Sequence, residues 1–437
     1  MRTEHEPSGK AAPRQAGVRP LRPPHAPGYR EAMLLTRPSG SPPQTLAEYQ
    51  AEGGFSGLRA ALAAPPDALI AQLDTALLRG RGGAAFPTAR KWRLSAGQAA
   101  AQKYVVANGG EHEPGSRKDR HLVEYYPHKV LEGLLLCGYA TGASVGWLYL
   151  IEDMAGPLHS AERAIAELTA AGLLGNNLLG SGFNFEVRVH KAPTTYVAGE
   201  ETAALESIEG RPAKPRSKPP YPGEAGLFGQ PTTVNNVETL AQAALVARHG
   251  GAWFRAIGKG ESTGTLLFTL GEQVVRPGVY ELPFGATYRE LIFGLGGGTR
   301  SGRGVRGILP AMSSGWLPAS ALDLPFEHAA FKALGSGLGC GGVSLLEEGQ
   351  SVLEPLATIA QFFMAEQCGQ CPPCRMETNH LVAILKAVRE GRPGDHAGQV
   401  HKITEFTRGK GRCSLIEMAA APVVSALRLF PEDFRTP

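Results

Sequence analysis

Four of the six cysteines, Cys368, Cys371, Cys374 and Cys413, gather toward the C-terminus, apart from Cys137 and Cys340. Cys368-Gly-Gln-Cys371-Pro-Pro-Cys374 is a C-x2-C-x2-C run on a loop tightened by Pro372 and Pro373. Three thiolates at this spacing can cap one face of a cubane, and Cys413 can complete a [4Fe–4S] cluster. Zinc also takes four thiolates, usually as two C-x2-C knuckles, whereas here a run of three is joined by one. A reactive or structural cysteine group is the third reading. The N-terminus lacks the apolar h-region of a secretion signal, so a disulfide framework is disfavoured. Cys137, inside the apolar run LEGLLLCGYA, reads as a small buried hydrophobe. Cys340, in GSGLGCGG, has no partner at a useful spacing and reads as structural.

Five segments could bind a cofactor. Gly80-Arg81-Gly82-Gly83-Ala84-Ala85-Phe86-Pro87-Thr88 contains a lone G-x-G-x-x-A, a weak dinucleotide signal. It follows an expected helix rather than a first strand, which argues against a standard Rossmann βαβ unit. Its glycines still let backbone N–H groups approach a phosphate or a flat ring, with Arg81 and Lys91 as nearby charge. An ordinary turn is the bland alternative. Asn108-Gly-Gly-Glu111-His-Glu113 ends an expected strand, where α/β sheets bind ligands; a solvated turn would look the same. Tyr196-Val-Ala-Gly199-Glu200-Glu201 precedes an expected helix, whose N-terminus favours acidic residues anyway. Pro215-Arg-Ser-Lys218-Pro-Pro-Tyr221-Pro is a rigid basic stretch, and Asn235-Asn236-Val-Glu238-Thr239 opens a helix. Each segment alone is bland; their co-occurrence is not.

These residues need positioning elements. Helices are expected over 45–62, 65–78, 121–140, 159–171 and 203–209, and strands over 103–107, 147–151 and 185–190. That alternation predicts an α/β fold with a largely parallel sheet. Strands at 264–270 and 278–282 around a turn, then a short helix at 288–293, suggest a small β-grasp-like module. Apolar spacing over 353–364, 381–388 and 415–429 predicts a helical end. The chain has 437 residues, 43% apolar, which allows two to four domains at roughly 100–200 residues each. A net charge of +4 gives no case for nucleic-acid binding. No apolar run reaches about 18 residues, so no membrane span is expected. Residues 1–45 are rich in Pro and Arg and read as a disordered tail. Glu4, Glu6 and Glu31 argue against a transit peptide.

Taken together, GRGGAAFPTARKW (80–92), EPGSRKDRHLVEYYPHKVLEG (113–133), YVAGEETAALESIEGRPAKPRSKPPYP (196–222), FGQPTTVNNVETL (228–240) and CGQCPPCR with Cys413 resemble one family. It is the NADH-binding, FMN-containing F subunit of respiratory complex I, with the diaphorase subunits of NAD-linked hydrogenases and formate dehydrogenases. The resemblance covers nearly the whole chain after about residue 45 and favours a [4Fe–4S] cluster over zinc. It implies a Rossmann-like FMN- and NADH-binding α/β domain over 46–261. A ubiquitin-like β-grasp (SLBB) domain over 262–340 and a helical [4Fe–4S] domain over 341–437 complete the implied layout. It further implies that Gly80, Arg81, Gly82 and Lys91 cradle the FMN phosphate and ribityl chain. Asn108, Glu111, Tyr196, Gly199, Glu200, Asn235, Asn236 and Thr239 would complete the flavin site. NADH would touch Gly83, Ala84, Phe86, Glu113, Glu201, Lys218 and Tyr221, with Glu113 and Glu201 as the catalytic pair. Phe86 and Tyr221 suit stacking on adenine, and Glu201 would repel the 2′-phosphate of NADPH.

The sequence departs from the family pattern at three places. Its usual Asn-Ala-Asp-Glu turn reads Asn108-Gly109-Gly110-Glu111, which removes a carboxylate. A usual Phe is Leu94, and a usual Cys is Ala198. The implied activity is hydride transfer from NADH to FMN, then single electrons to the cluster and on to a partner. The alternatives are a cluster-bearing relay or scaffold without NADH oxidation, and an NAD(P)+-reducing module of a formate dehydrogenase, hydrogenase or bifurcating complex. No second cysteine set is present, so the next carrier sits on another chain, with a thioredoxin-like [2Fe–2S] protein the expected partner. A cytoplasmic location, peripheral to any membrane complex, follows from the same resemblance.

Overall fold

Parallel strands need long crossovers, and the helices between the apolar runs supply them. In the computed structural model, which describes residues 32–38 and 40–435, a first sheet is built from four strands. These are β1 (Tyr104–Gly109), β2 (Val145–Ile151), β3 (Glu186–Ala192) and β4 (Thr232–Asn236), in the order β3-β2-β1-β4 and parallel throughout. β2 reads VGWLYLI, the near-continuous apolar run of a strand covered on both faces. β4, the polar TTVNN, carries no such pattern and is invisible to periodicity; Thr232 and Thr233 are nevertheless buried. Helices Pro127–Thr141 and Val237–His249 pack on the sheet and on each other.

Two expected helices are each a pair. The segment 121–140 breaks at Tyr126, between helices Lys118–Tyr125 and Pro127–Thr141. Pro127 disfavours helical backbone in the residue before it, and Tyr126 sits at φ −135°, ψ 46°. The segment 45–62 breaks at Gly53–Phe55 into Leu46–Ala51 and Ser56–Leu62. There the buried Glu132 carboxylate accepts the Phe55 and Leu58 N–H groups at 2.9 and 3.1 Å, satisfying orphan donors of the second helix start.

The tail expected over 1–45 lies outside the described residues up to residue 31. Beyond that point it is not a tail. Leu34 and Leu35 are fully buried, and their N–H groups donate to Glu281 Oε2 at 2.9 and 3.0 Å. Lys129 Nζ donates back to Leu34 O at 2.8 Å. The short apolar run Ala32–Leu35 therefore joins the first core to the second sheet, an effect that the surrounding Pro and Arg residues mask in the sequence.

A two-stranded ribbon of β5 (Gly258–Lys259) and β6 (Ser262–Thr263) leads into that second sheet. It contains β7 (Thr265–Leu270), β8 (Gly278–Pro283), β9 (Val305–Leu309), β10 (Leu317–Pro318) and β11 (Gly342–Glu347), in the order β10-β9-β11-β7-β8. β7 and β8 form the expected hairpin. β11 inserts between β9 and β7, so the sheet runs past the boundary drawn at 340. Phe268, Tyr288, Phe326 and Phe331 build its core.

Four helices end the chain: Leu353–Glu366, Pro372–Arg389, His396–Thr407 and Leu415–Leu429. They close on Phe363, Leu381, Leu385, Ile416 and Val423, and the same core takes in Trp316 and Leu309 of the second sheet region. Among the described residues, no helix is long and apolar enough to cross a membrane.

Candidate active site and cysteine-lined pocket

The carboxyl ends of the adjacent strands β1 and β4 carry Asn108, Asn235 and Asn236, the position where open α/β sheets bind ligands. The glycine loop 80–87 folds over these ends. Its neck is closed by Gly80 N–H to Phe86 O at 2.8 Å. A Cβ on Gly82 would stand 3.3 Å from Asn236 Cβ, and Gly83 adopts φ +105°, open to glycine and strained for other residues. The backbone of this loop is thus presented to the strand ends.

Arg81 is not. Its side chain turns away from the strand ends and is buried. Nε donates to Thr265 O at 3.0 Å, one guanidinium nitrogen to Thr263 O at 2.7 Å and the other to Arg79 O at 2.8 Å. Its backbone N–H is held by Thr239 Oγ1 at 2.8 Å. Burial lowers the guanidinium to about 10. The expected phosphate charge at Arg81, and the exposed Thr239 hydroxyl, are replaced by a joint that ties the glycine loop to β6 and β7. Asn235 also turns inward, its amide 3.8 Å from Cys137 Sγ.

Lys91, Lys218, Glu200 and Glu201 come together as a half-buried charge cluster. Lys91 Nζ donates to Glu201 Oε2 at 3.0 Å and to Val234 O at 3.0 Å. Lys218 Nζ spans Glu200 Oε1 at 2.9 Å and Glu201 Oε1 at 2.7 Å. Glu200 caps the helix Glu201–Ile208, accepting the Thr202 and Ala203 N–H groups at 2.8 and 3.0 Å. Burial would raise Glu201, but the two lysines hold it down at about 2. Phe86 and Tyr221 are exposed at 43% and 52%, free to meet a ligand, and Phe86 stacks beneath Arg90 and Lys91. Leu94 is exposed as well and packs against the backbone of Gly223, two residues past Tyr221.

The acidic turn is divided. Asn108 Nδ2 donates to Gly199 O at 3.0 Å, joining the turns after β1 and β3. Glu111 is committed inward: Oε1 accepts Ser116 Oγ at 2.6 Å and Asp119 N–H at 3.0 Å, and Oε2 accepts Arg120 Nε at 3.1 Å. Glu113 accepts the Tyr196 hydroxyl at 2.7 Å and both the Ser313 N–H and hydroxyl at 2.8 Å. Tyr196 in turn donates its N–H to Glu366 Oε2 at 2.9 Å, and its ring meets Phe362 and Phe363 edge-on. One chain of contacts therefore runs from the strand ends to the residue two positions before Cys368.

The residues that sequence reasoning missed lie beneath this layer. Lys118 Nζ reaches Asp119 Oδ1 at 2.6 Å, Glu238 Oε2 at 2.9 Å and Asn236 Oδ1 at 3.3 Å. Asn236 Nδ2 donates to Asp119 Oδ2 at 2.7 Å. Burial alone would discharge Lys118; the two carboxylates keep it charged, well above the ordinary lysine range. Lys118-Asp119 at a helix start reads as surface in the sequence, and Ser313 carries no signal at all.

Cys368, Cys371, Cys374 and Cys413 line one pocket, together with Pro215, Gln370 and Arg412. Cys371 precedes the helix Pro372–Arg389 and Cys413 precedes Leu415–Leu429, so two helix N-termini face the pocket and favour anionic sulfur there. Arg412 N–H lies 3.4 Å from Cys371 Sγ, and Gln370 Nε2 lies 3.5 Å from Cys368 Sγ. Burial and the neighbouring thiols push Cys374 up to about 12, and burial pushes Cys413 up to about 11. Four thiols around a volume, with N–H donors on two sulfurs, fit a multi-iron cluster. Cys137 is fully buried in its helix.

Residues 73–245 match the family described as the Nuo51 FMN-binding domain, and residues 354–437 match the NADH-ubiquinone oxidoreductase-F iron-sulfur binding region. The chain is 39% identical over 408 residues to the F 2 subunit of the NADH-quinone oxidoreductase of Rhizobium meliloti, covering 92% of this chain and 97% of that one. The chain belongs to the family of NADH-quinone oxidoreductase F subunits. The F subunit of the Escherichia coli enzyme is 38% identical, with 90% of this chain and 89% of that one covered. A solved NAD+-reducing [NiFe]-hydrogenase in its H2-reduced state superposes with a TM-score of 0.78 at 29% identity. That match covers 90% of this chain and 66% of the hydrogenase chain. In this member of the family, the two matched regions meet through the Glu113–Tyr196–Glu366 series.

Proposed function

We propose that this chain oxidises NADH at a bound FMN and passes the electrons singly to a [4Fe–4S] cluster on Cys368, Cys371, Cys374 and Cys413. The observation that carries the reading is the pairing, on one chain, of a glycine loop over parallel strand ends with a four-thiol pocket. Bound FMN supplies what neither coenzyme nor protein has: it accepts two electrons together and releases them one at a time.

The chain's own residues then have distinct tasks. The backbone of Gly80 and Gly82 would hold the flavin, with Lys91 as the cation of the cradle and Gly83 turned to NADH. Asn108, Asn236 and Gly199 would complete the flavin site, and Arg81, Glu111, Asn235 and Thr239 support these positions from behind. Phe86 and Tyr221 offer exposed rings for adenine. Glu201, held anionic by Lys91 and Lys218, receives the coenzyme's ribose hydroxyls, and Lys218 neutralises the excess charge of the Glu200–Glu201 pair. Glu113 fixes Tyr196 between the strand ends and the cluster helices.

Electrons leave to further electron-transfer proteins, the next of them a thioredoxin-like [2Fe–2S] protein, in a cytoplasmic assembly peripheral to a membrane. Anaerobically purified protein should contain equimolar FMN and about four irons, and should reduce ferricyanide with NADH. Protein free of flavin and inactive with NADH contradicts the reading. The likeness to an NAD+-reducing hydrogenase supports a second direction, NAD+ reduction within a hydrogen- or formate-oxidising assembly. Identification of co-purifying subunits separates the two.

A further inference from the structure

His112 fills a gap in the turn that ends β1. A Cβ on Gly110 would stand 2.9 Å from Tyr149 Cε1, 3.0 Å from His112 Nε2 and 3.1 Å from Asn108 Oδ1. Tyr149 is fully buried and cannot swing aside. A Cβ on Gly199 would stand 2.9 Å from His112 Cδ2. The imidazole is thus wedged between the two turns that Asn108 ties together. Nδ1 lies 3.4 Å from Thr194 O, and Nε2 is buried without a hydrogen-bond partner among the described residues.

The same turn offers no free carboxylate. Both oxygens of Glu111 are engaged by Ser116, Asp119 and Arg120, and both oxygens of Glu113 by Tyr196 and Ser313. Burial lowers the basicity of His112, opposed by the contact with Thr194 O and by Glu366 and Asp153, with Arg120 adding to the lowering.

We propose that Gly110 and His112 act as one unit of the flavin site: the imidazole, a positioning residue, takes the room that a side chain at 110 would need and keeps this edge of the flavin free of carboxylate. The inference rests on the strand ends being the flavin site. Reduction adds electron density to a flavin, and an unpaired carboxylate close by in a low-dielectric site opposes it. Without a free carboxylate there, the bound flavin is easier to reduce, which favours its role as acceptor from NADH.

The test is a two-by-two set of full-length holoproteins: wild type, Gly110→Asp, His112→Ser and the double variant. FMN affinity is read from flavin fluorescence, and the flavin midpoint potential from spectroelectrochemistry. Gly110→Asp alone should weaken FMN binding at least tenfold or fail to fold, because its side chain is caught between the fixed Tyr149 ring, the imidazole and Asn108. The double variant should recover FMN to within a few-fold of His112→Ser, because with Tyr149 fixed the turn can make room only by shifting into the space the imidazole fills, and serine vacates that space. Its preference for reduced over oxidised flavin should fall about tenfold, a shift of ~30 mV to more negative potential for a two-electron couple. The proposal is overturned if Gly110→Asp binds FMN as well as the double variant does. A double variant that neither folds nor holds flavin overturns it too, as does one whose potential is unshifted or more positive. Wild-type protein unable to bind FMN would remove the flavin-site reading itself, and this inference with it.

Discussion

Two charge clusters sit at the same strand ends and do different work. Lys118, Asp119 and Glu238 are almost wholly buried, with side-chain exposures of 1%, 7% and 0%. Lys91, Lys218, Glu200 and Glu201 keep between 20% and 29% of their side-chain surface. The buried set is closed: each charge meets its partners inside the protein, and Glu238 Oε1 also accepts Leu267 N–H at 3.0 Å, tying the first sheet's helix to β7. The half-open set is balanced but accessible, so an incoming ligand can exchange its contacts. Clusters of opposite charge can therefore be scaffold or binding surface, and burial decides which.

Breaking the buried set should cost most. Lys118→Met leaves two buried carboxylates without their cation, and about 3–5 kcal/mol of stability should be lost. Urea unfolding measures this, and a loss under about 1 kcal/mol would show that the cluster is not closed. Tyr196→Phe removes one hydrogen bond to Glu113, whose other contacts to Ser313 remain. Stability should fall by about 1–2 kcal/mol, with NADH-driven cluster reduction slowed more than flavin reduction in stopped flow. Equal slowing of both steps would place Tyr196 in the flavin site alone.

The smallest effect belongs to the half-open set. Glu201 has a folded pKa of about 2 against an ordinary value of 4.5. A depressed carboxylate pKa contributes stability above about 4.5 that is lost as the pH falls through about 2. Glu201→Gln should destabilise the protein modestly at neutral pH, discounted because the group is partly solvated. The gap from wild type should close over that acidic window. The same variant frees Lys91 and Lys218 for a phosphate, so the NADPH to NADH ratio of kcat/KM should rise; an unchanged ratio would remove Glu201 from the coenzyme site.

The sequence shows the two extremes of this molecule more clearly than its joints. The cysteine spacing and the apolar strands β1 to β3 are legible because periodicity and ligand spacing are local. Glu200, Glu201, Lys91 and Lys218 stand out within their segments, and the fold brings them within hydrogen-bond reach. Arg81 misleads because a basic residue in a glycine loop looks like a phosphate ligand. Only the distant Thr263 and Thr265 carbonyls reveal its real partners. β4, β11 and the helix His396–Thr407 escape detection because their polarity follows tertiary contacts rather than a repeat. Leu34 and Leu35 are hidden inside a Pro-rich stretch whose composition outweighs four apolar residues.

The central claim is that NADH electrons pass through flavin to the four-cysteine cluster. The most direct measurement is anaerobic NADH titration of wild type and Cys371→Ala, following flavin absorbance and low-temperature EPR together. Wild type should bleach the flavin and develop a reduced-cluster signal, whereas Cys371→Ala should bleach the flavin with no cluster signal. A flavin that stays oxidised under NADH, or an unchanged cluster spectrum without Cys371, would contradict the account.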